Sequence, residues 1–330
     1  MEFSCIEKVL KNEPSFRLKQ VKRLVFFDLI DNWDKATTLP LSLRDKLNKE
    51  CSLEIDSKMF FSKDKKTIKA LINLKDGLKI ESVLMKHIDK RNTICVSSQV
   101  GCALDCVFCL TGKMGFKRDL EAHEIVSQVM LFARYLKSKK QRITNVVFMG
   151  MGEPFLNYDN VIESIKILND KQGFNLGARS FSISTAGIID GINRLADEKL
   201  QINLAISLHA PDNKLRSKIM AINKRYPLLK VLKSVDDYIL KTKRKVMFEY
   251  LMIHNVNDKD EHAEKLARLM KKPLYFVNLI SYNPTGDFKS SSKQRIKKFR
   301  EILEEKGVNV GQRYSFGQDI KAACGQLASE

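Results

Sequence analysis

Residues 101–109 read GCALDCVFC and place three cysteines in one short loop with the spacing C-x3-C-x2-C. The three are Cys102, Cys106 and Cys109, and the loop directly follows a predicted apolar strand. Thiolates are soft ligands that select zinc or iron–sulfur clusters. Zinc usually takes a fourth ligand at a matched spacing, and no second cysteine or histidine pair lies nearby in the sequence. A [4Fe–4S] cluster held by three cysteines keeps one iron open to a small molecule, so the spacing favours such a cluster.

Around this loop, apolar strands alternate with amphipathic helices from residue 92 onward. The predicted strands are residues 93–97, 144–150, 180–186, 202–208, 245–253 and 274–281. The predicted helices include residues 121–139, 159–169, 228–241, 258–271 and 292–306. Such alternation is typical of parallel sheets built from βα units. Six units suit a partial (β/α)6 barrel better than an eight-fold one, and a barrel of this kind carries its chemistry on the loops that follow the strands.

The segments that flank the predicted barrel differ in character. Apolar residues at spacings of three and four, broken at Pro14 and Pro40, predict short helices near the N-terminus, and alternating apolar residues predict strands between residues 58 and 90. We therefore expect an α/β protein with four parts. These are a helical accessory domain (1–57), a β-strand linker (58–90), the barrel (91–306), and a C-terminal strand and segment (307–330).

The composition limits the class of protein. Hydrophobic residues make up 44% of the 330, which excludes global disorder. Fifty-eight Lys and Arg against 39 Asp and Glu give a net charge of +19, which favours a polyanionic partner such as nucleic acid, although a genome-wide bias towards lysine would also raise the charge. No apolar run reaches the roughly 18–20 residues of a membrane span, and the first residues lack the apolar core of a signal peptide. We therefore expect a soluble cytoplasmic protein. The cytoplasm is a reducing compartment, so we interpret Cys5 and Cys51 as ordinary residues.

Further motifs stand mostly at the ends of predicted strands. They are CVSSQVG (95–101), FMGMGEP (148–154), SIST (182–185), SLHAP (207–211), YNP (282–284) and ACGQL (323–327). Together with the cysteine loop they resemble, over nearly the whole chain, the RlmN/Cfr family of radical S-adenosylmethionine (SAM) RNA adenine methyltransferases. Pro154 makes the sequence more similar to the RlmN group, whereas residues 315–317 are somewhat similar to Cfr.

The resemblance implies a chemistry for the cysteines and for Glu81. Cys102, Cys106 and Cys109 would hold a [4Fe–4S] cluster, and SAM on its open iron would give a 5′-deoxyadenosyl radical. Two SAM molecules are implied per turnover, with Cys324 as an S-methylcysteine intermediate, Cys95 as its partner in a transient disulfide, and Glu81 as the proton acceptor. Without the resemblance, Glu81 would be interpreted as a solvent-facing carboxylate, and the two isolated cysteines as core residues.

The resemblance also implies a set of SAM-binding residues. They are Gly152, Glu153, Ser184, Ser207, Leu208, His209 and Asn283. Glycine lets backbone approach a ligand, a carboxylate can face the SAM ammonium, and small polar side chains suit ribose and methionine groups. His209 can be interpreted either as a cofactor contact or as a structural histidine.

The implied substrate is RNA. Members of this family methylate carbon-2 of one adenine in 23S rRNA, and some also methylate the adenine 3′ of the anticodon in tRNA. The resemblance further implies an RNA-binding role for the N-terminal domain, an electron donor such as flavodoxin or ferredoxin, and a monomer. Two alternatives stay open: Cfr-like methylation of carbon-8, and a zinc-stabilised RNA-binding module without enzymatic activity.

Overall fold

The first part of the chain forms a small helical unit, here called the N-terminal module (residues 3–56). The structure is a computed structural model that describes residues 3–313 and 315–328 (for residues 3 and 4, the backbone alone). The helices of the module are α1 (Phe3–Val9), α2 (Phe16–Lys22) and α3 (Leu41–Glu50). Val21, Trp33 and Leu47 are buried in its core. The Trp33 indole Nε1 donates a hydrogen bond of 2.7 Å to the Cys51 carbonyl, so the one tryptophan is satisfied as well as buried.

The N-terminal module corrects one expectation from the sequence. Cys5 and Cys51, interpreted as ordinary residues, form a disulfide that joins α1 to the end of α3, with 5.8 Å between their Cα atoms. The two cysteines are 46 residues apart. Sequence spacing alone cannot bring them together, because the packing of α1 against α3 sets their distance.

Three antiparallel strands lead from the N-terminal module to the barrel. They are β1 (Ser57–Phe61), β2 (Thr67–Asn73) and β3 (Lys79–Lys86), and β3 then pairs antiparallel with β4 (Asn92–Val96). Gly77 occupies the turn between β2 and β3 with φ of 81°, a left-handed conformation that favours glycine. The meander therefore extends the sheet beyond the first barrel strand.

A small two-stranded sheet encloses the cysteine loop. Strand β5 (Gln99–Gly101) enters the loop and pairs antiparallel with β6 (Phe116–Asp119), and the short helix α4 (Leu110–Lys113) lies between them. This two-stranded sheet was not predicted from the sequence. It fixes both ends of the loop that carries the three cysteines.

The alternation of strands and helices forms the predicted partial barrel. Strand β4 and five further strands pair in parallel in the order β4-β7-β8-β9-β10-β11, which confirms the fold class. These strands are β7 (Asn145–Phe148), β8 (Phe181–Thr185), β9 (Asn203–Ser207), β10 (Val246–Met252) and β11 (Tyr275–Ser281). A further strand, β12 (Val310–Arg313), pairs in parallel with β11 and ends the sheet.

Helices cover the outer face of the sheet and bury an apolar stripe against it. They are α5 (Ala122–Lys137), α6 (Tyr158–Asn169), α7 (Ile189–Asp197), α8 (Asn213–Ile219), α9 (Leu228–Thr242), α10 (Asp260–Met270) and α11 (Lys293–Glu305). Single turns of 3-10 helix lie at Trp33–Lys35, Ala178–Ser180, Ala221–Lys224 and Gln318–Ile320, and a π-helical turn lies at Arg23–Phe27. The short helices α7 and α8 were not predicted, since they are only seven to nine residues long. Within the described ranges, no helix has both the length and the apolar character needed to cross a bilayer.

The gap between the two sides of the open barrel is covered by residues 315–328, here called the closing segment. The Phe316 ring packs edge-on against His87, just beyond β3, with ring centroids 5.0 Å apart. The Lys63 amide donates a hydrogen bond of 2.8 Å to Asp319. Gly317, with φ of 63°, lies so close to β2 that a Cβ atom there would be 2.6 Å from the Thr67 methyl group. We call these contacts of the closing segment with β2 and β3 the seam.

Candidate active site at the carboxyl ends of the barrel strands

The cysteine loop is held in place by backbone contacts. A Cβ atom on Gly101 would lie 1.8 Å from the Gly115 carbonyl oxygen, so only glycine fits where the loop leaves β5. The Cys102 amide donates to that same carbonyl at 3.1 Å, and the Cys109 amide donates to the Cys106 carbonyl at 3.0 Å. These bonds form a tight loop that directs the three side chains to one side.

All three cysteines line a cavity of about 170 Å³, here called the upper cavity, at the carboxyl ends of the strands. Burial raises the pKa of the Cys102 thiol to about 12 and that of Cys106 well above its ordinary value. In the described ranges no three His, Cys, Asp or Glu side chains gather around one point as a single ion requires. An iron–sulfur cluster instead offers a separate iron to each thiolate. The positive charge of the irons stabilises the thiolate form of each cysteine. Because all three thiols line one cavity, they fit such a cluster.

Gly152 and Glu153 lie at the wall of the upper cavity, just after β7. Gly152 has φ of 97°, and a Cβ atom there would lie 2.5 Å from the Gln99 side chain. The buried Glu153 carboxylate accepts hydrogen bonds from the amides of Phe155 (3.0 Å) and Ala186 (2.7 Å). Burial raises the pKa of Glu153 to about 7, although those two amides act in the opposite direction. A carboxylate fixed in this way can face a ligand cation.

Ser184, Ser207 and His209 line the same cavity. The two serine hydroxyls, at the ends of β8 and β9, lie 3.4 Å apart. The His209 Nδ1 accepts a hydrogen bond of 3.1 Å from the Leu251 amide, so the neutral ring carries its proton on Nε2. Burial lowers the pKa of His209 to about 3, which keeps the ring neutral. His209 is thus held structurally and also faces the cavity, so the two interpretations are compatible.

Two of the seven proposed SAM-binding residues lie elsewhere. Leu208 is buried and its amide donates a 3.0 Å hydrogen bond to the Glu249 carbonyl, while Asn283 Nδ2 donates to the Cys324 carbonyl at 3.3 Å. Asn283 also accepts a 2.7 Å hydrogen bond from Gln318. Neither is among the described residues that line the upper cavity. In this structure Asn283 instead holds the closing segment.

Cys324 lies on the wall shared by two cavities. It lines the upper cavity and also a second, lower cavity of about 460 Å³, which extends towards the amino ends of the strands. Cys95, on β4, lines the lower cavity, and both thiols are free. Burial raises the pKa of Cys95 to about 12, and the nearby Cys324 adds to this rise. Cys324 is accessible at the cavity surface yet enclosed by protein, so burial raises its pKa too, while the Arg313 guanidinium opposes that rise.

Glu81 lies at the seam and is only 2% exposed. Its carboxylate is 2.7 Å from the Lys69 ammonium and accepts a hydrogen bond of 2.9 Å from the Ala328 amide. The interpretation of Glu81 as a solvent-facing carboxylate, drawn from the alternating pattern alone, is therefore wrong. The closing segment covers the side chain, and no local pattern in β3 signals that cover.

Sequence reasoning missed two charged residues at the cavity wall, Glu249 and Arg313. The Glu249 Oε1 accepts hydrogen bonds from Asn278 (3.0 Å) and pairs with Arg313 (3.2 Å), while its buried Oε2 has no partner within the described residues. Arg313 lines both cavities beside Cys324. The signal in the sequence was a single charged residue inside the apolar run of β10.

Three cysteines facing a cavity above a partial parallel barrel define the class of radical SAM enzymes, and the family model described as "Radical SAM superfamily" matches residues 96–269. "Probable dual-specificity RNA methyltransferase RlmN" from Dictyoglomus thermophilum is 48% identical over 317 residues, covering 96% of this chain and 91% of the relative. "Ribosomal RNA large subunit methyltransferase N" from Nitrosopumilus maritimus is 44% identical, covering 96% and 93%. A crystal structure of a radical SAM methyltransferase from Sphaerobacter thermophilus has 42% identity and a TM-score of 0.96, with 100% and 98% coverage. The chain belongs to the RlmN family of radical SAM RNA methyltransferases.

Family membership confirms the predicted class of enzyme and its cofactors, a [4Fe–4S] cluster and SAM. It also excludes the zinc-stabilised module without enzymatic activity. The roles of individual residues stay predictions, and their placement in the structure supports the proposals below.

Proposed function

We propose that this chain methylates carbon-2 of a specific adenine in 23S rRNA, and also the adenine 3′ of the anticodon in some tRNAs. The names of the relatives specify RNA, dual specificity and the large ribosomal subunit, which supports rRNA as one substrate and a second RNA beside it. The observation that carries the proposal is the position of Cys324 between the two cavities. Carbon-2 of adenine, flanked by two ring nitrogens, is a poor nucleophile, so a methyl carrier beside a radical-generating site suits this reaction.

The residues of the upper cavity would hold the cofactors. Cys102, Cys106 and Cys109 would bind the cluster, and Glu153 would face the SAM ammonium, with Gly152 allowing close approach of the backbone. When bound, the cluster and SAM would supply the one-electron chemistry. They would provide the radical that activates the methyl group, and they would later accept the one electron that the ring loses after methylation.

The group transfer would be carried out by Cys324 and Cys95 at the cavities and by Glu81 at the seam. Cys324 loses its thiol proton and would take the methyl group of a first SAM by nucleophilic substitution, with S-adenosylhomocysteine as the leaving group. The methyl group then lies at the boundary of the cavities. After the methyl carbon has lost a hydrogen atom and bonded to carbon-2, Glu81 accepts the carbon-2 proton, and the electron pair stays in the ring. Cys95, a thiol because of its raised pKa, then gives up its proton as its sulfur attacks the Cys324 sulfur. The electron pair of the carbon–sulfur bond goes to the methylene carbon, which takes up a proton, and an external thiol reductant opens the resulting disulfide.

The N-terminal module would contribute to RNA binding, with the division into 1–57, 58–90, 91–306 and 307–330 as proposed from the sequence. Two phenylalanines, Phe16 and Phe27, are 50% and 68% exposed on this module. The Arg17 guanidinium lies 4.8 Å from the Phe16 ring centre, and the Arg23 guanidinium lies 5.7 Å from the Phe27 ring centre. Exposed aromatic rings beside arginines are suited to stacking unpaired bases and contacting phosphates.

Mass spectrometry of nucleosides from cells with and without the protein tests the proposed function. We expect 2-methyladenosine in 23S rRNA and tRNA to depend on the protein, and a Cys324→Ala variant to abolish it. Dependence of 8-methyladenosine instead would establish the Cfr-like reaction. If neither modified nucleoside changes, the proposed substrates are wrong. An electron donor of the flavodoxin or ferredoxin type would be supplied for the same assay with purified enzyme.

A further inference from the structure

A buried ion pair joins two strands at the seam. The Lys69 Nζ atom on β2 is 2.7 Å from Glu81 Oε1 on β3, and the two side chains are only 12% and 3% exposed. We propose that Lys69 is a positioning residue for the reaction, which holds the Glu81 carboxylate in the orientation that accepts the carbon-2 proton. This inference rests on the proposed role of Glu81.

The register of the sheet explains why these two side chains meet. Leu71 lies directly opposite Glu81, and Lys69 is two residues away on the same face of β2. A diagonal neighbour in an antiparallel pair is within reach of a long side chain. The counter-ion of the Glu81 carboxylate therefore comes from the adjacent strand. The other contact of the carboxylate, the Ala328 amide, comes from a distant part of the chain.

The Lys69 ammonium is fixed from several sides. Its Nζ atom lies 5.6 Å from the Phe60 ring centre on β1, a cation–π distance, and 3.5 Å from the Lys321 carbonyl on the closing segment. An ammonium held in this way has little freedom to leave the carboxylate. Because Lys69 touches β1, β3 and the closing segment, it also links Glu81 to the segment that carries Cys324.

The carboxylate keeps the capacity to accept a proton. Lys69 uses Oε1 and the Ala328 amide uses Oε2. A carboxylate has about four lone-pair directions, so about two remain open. In the proposed step the carbon-2 proton moves to Glu81, and the electrons of the carbon–hydrogen bond stay in the ring. Without Lys69, the Oε1 atom loses its partner, and the buried carboxylate is no longer held in the orientation that accepts this proton.

The test measures turnover together with the fraction of protein linked covalently to RNA through Cys324, for Lys69→Met, Lys69→Arg and Glu81→Gln. If proton removal is slowed, the bond between the methylene carbon and carbon-2 persists and the linked fraction rises. We expect Glu81→Gln to lower turnover on the order of 100-fold and to accumulate the adduct. Lys69→Met should lower turnover at least about 10-fold with the same accumulation, and Lys69→Arg, which retains the cation, should restore most of the activity.

Lys58→Met is the matched control. The Lys58 ammonium lies 5.4 Å from the same Phe60 ring, so this change removes a similar charge and a similar ring contact. We expect turnover and adduct level close to wild type. The double variant Lys69→Met/Glu81→Gln separates positioning from general damage to the fold. If Lys69 acts through Glu81, the double variant should be no slower than Glu81→Gln alone.

Each negative result identifies the statement that fails. If Glu81→Gln accumulates adduct but Lys69→Met does not, the role of Lys69 is wrong and the proposed function stands. If no variant, including Glu81→Gln, forms an adduct through Cys324, the proposed roles of Cys324 and Glu81 are wrong. Additive losses in the double variant would also overturn the inference, because they would mean that Lys69 acts independently of Glu81.

Discussion

Backbone contacts hold the cysteine loop and Glu153 at the upper cavity, whereas the seam beside it depends on side chains from distant parts of the chain. Gly101 and Gly152 leave no room for a Cβ atom, and backbone amides hold the Glu153 carboxylate. At the seam, Glu81 pairs with Lys69 and accepts a bond from the Ala328 amide, 247 residues further along. The two regions should therefore fail in different ways. Changes in the cavity should affect cofactor binding, and changes at the seam should affect group transfer while the cofactors remain bound.

The largest expected effect is the loss of a cluster ligand. Cys106→Ala removes one of the three thiolates that line the upper cavity, and we expect iron and sulfide to be lost with methylation below detection. The seam should stay intact, so alkylation of the Cys324 thiol should remain close to that of metal-free wild type. Iron and sulfide analysis with mass spectrometry of the alkylated chain measures both. Full iron content together with full activity in this variant would overturn the assignment of the cavity.

Gly152→Ala tests how closely the backbone must approach SAM. The new Cβ atom would lie 2.5 Å from Gln99, whose side chain is held by the Glu153 amide (2.8 Å) and by Asp119 (2.7 Å) and so cannot move aside. We expect SAM affinity to fall about 100-fold while iron is retained. Gly77→Ala is the control, since it has a similar positive φ but open space around it. Equal effects of the two substitutions on SAM binding would mean that the fit at Gly152 does not matter.

Gly317→Ala tests the seam in the same manner. A Cβ atom at this position would meet the Thr67 methyl group at 2.6 Å and so push the closing segment off β2. We expect methylation to fall roughly 10-fold, with iron content and SAM binding unchanged. The additional substitution Thr67→Ser removes the methyl group that the new Cβ atom would meet, and it should restore part of the lost methylation activity. A parallel loss of SAM binding would contradict the separation between cavity and seam.

A pH dependence of SAM binding, similar in size to the effect of Gly317→Ala, is the last expected effect. Burial raises the pKa of Glu153 to about 7, so the side chain is mostly protonated below that pH and ionised above it. Because the SAM ammonium favours the ionised form, affinity should rise about tenfold from pH 6 to pH 8. The Glu153→Gln variant reports the titration of the SAM amino group alone and should show a flatter profile. Identical profiles for the two proteins would show that Glu153 does not face the cation.

Much of the upper cavity could be predicted from the sequence because its parts are local. The cysteine loop, Gly152 and Glu153 each lie just beyond a strand, and parallel strands bring their carboxyl ends to one edge. The alternation of apolar strands and helices was sufficient to predict a partial barrel of parallel strands. The placement of Asn283 differed from expectation, because its side chain reaches the closing segment instead of the cavity wall.

The seam and the N-terminal disulfide could not be predicted in this way. Whether Glu81 is buried depends on a segment some 240 residues away, and the pairing of Cys5 with Cys51 depends on how two helices pack. Glu249 was missed for a related reason. A single charged residue in an apolar strand is unremarkable until Arg313, from another strand, is found beside it. Contacts of this kind arise from tertiary packing, which leaves no local periodicity in the sequence.

The closing segment has a consequence for how the enzyme matures. Residues 315–328 are synthesised after every strand that they contact, so the contacts of the seam cannot form until all of the barrel strands have been made. Cys324 lies on this segment, so it is the last cysteine to be synthesised and reaches the wall between the two cavities only when the segment docks.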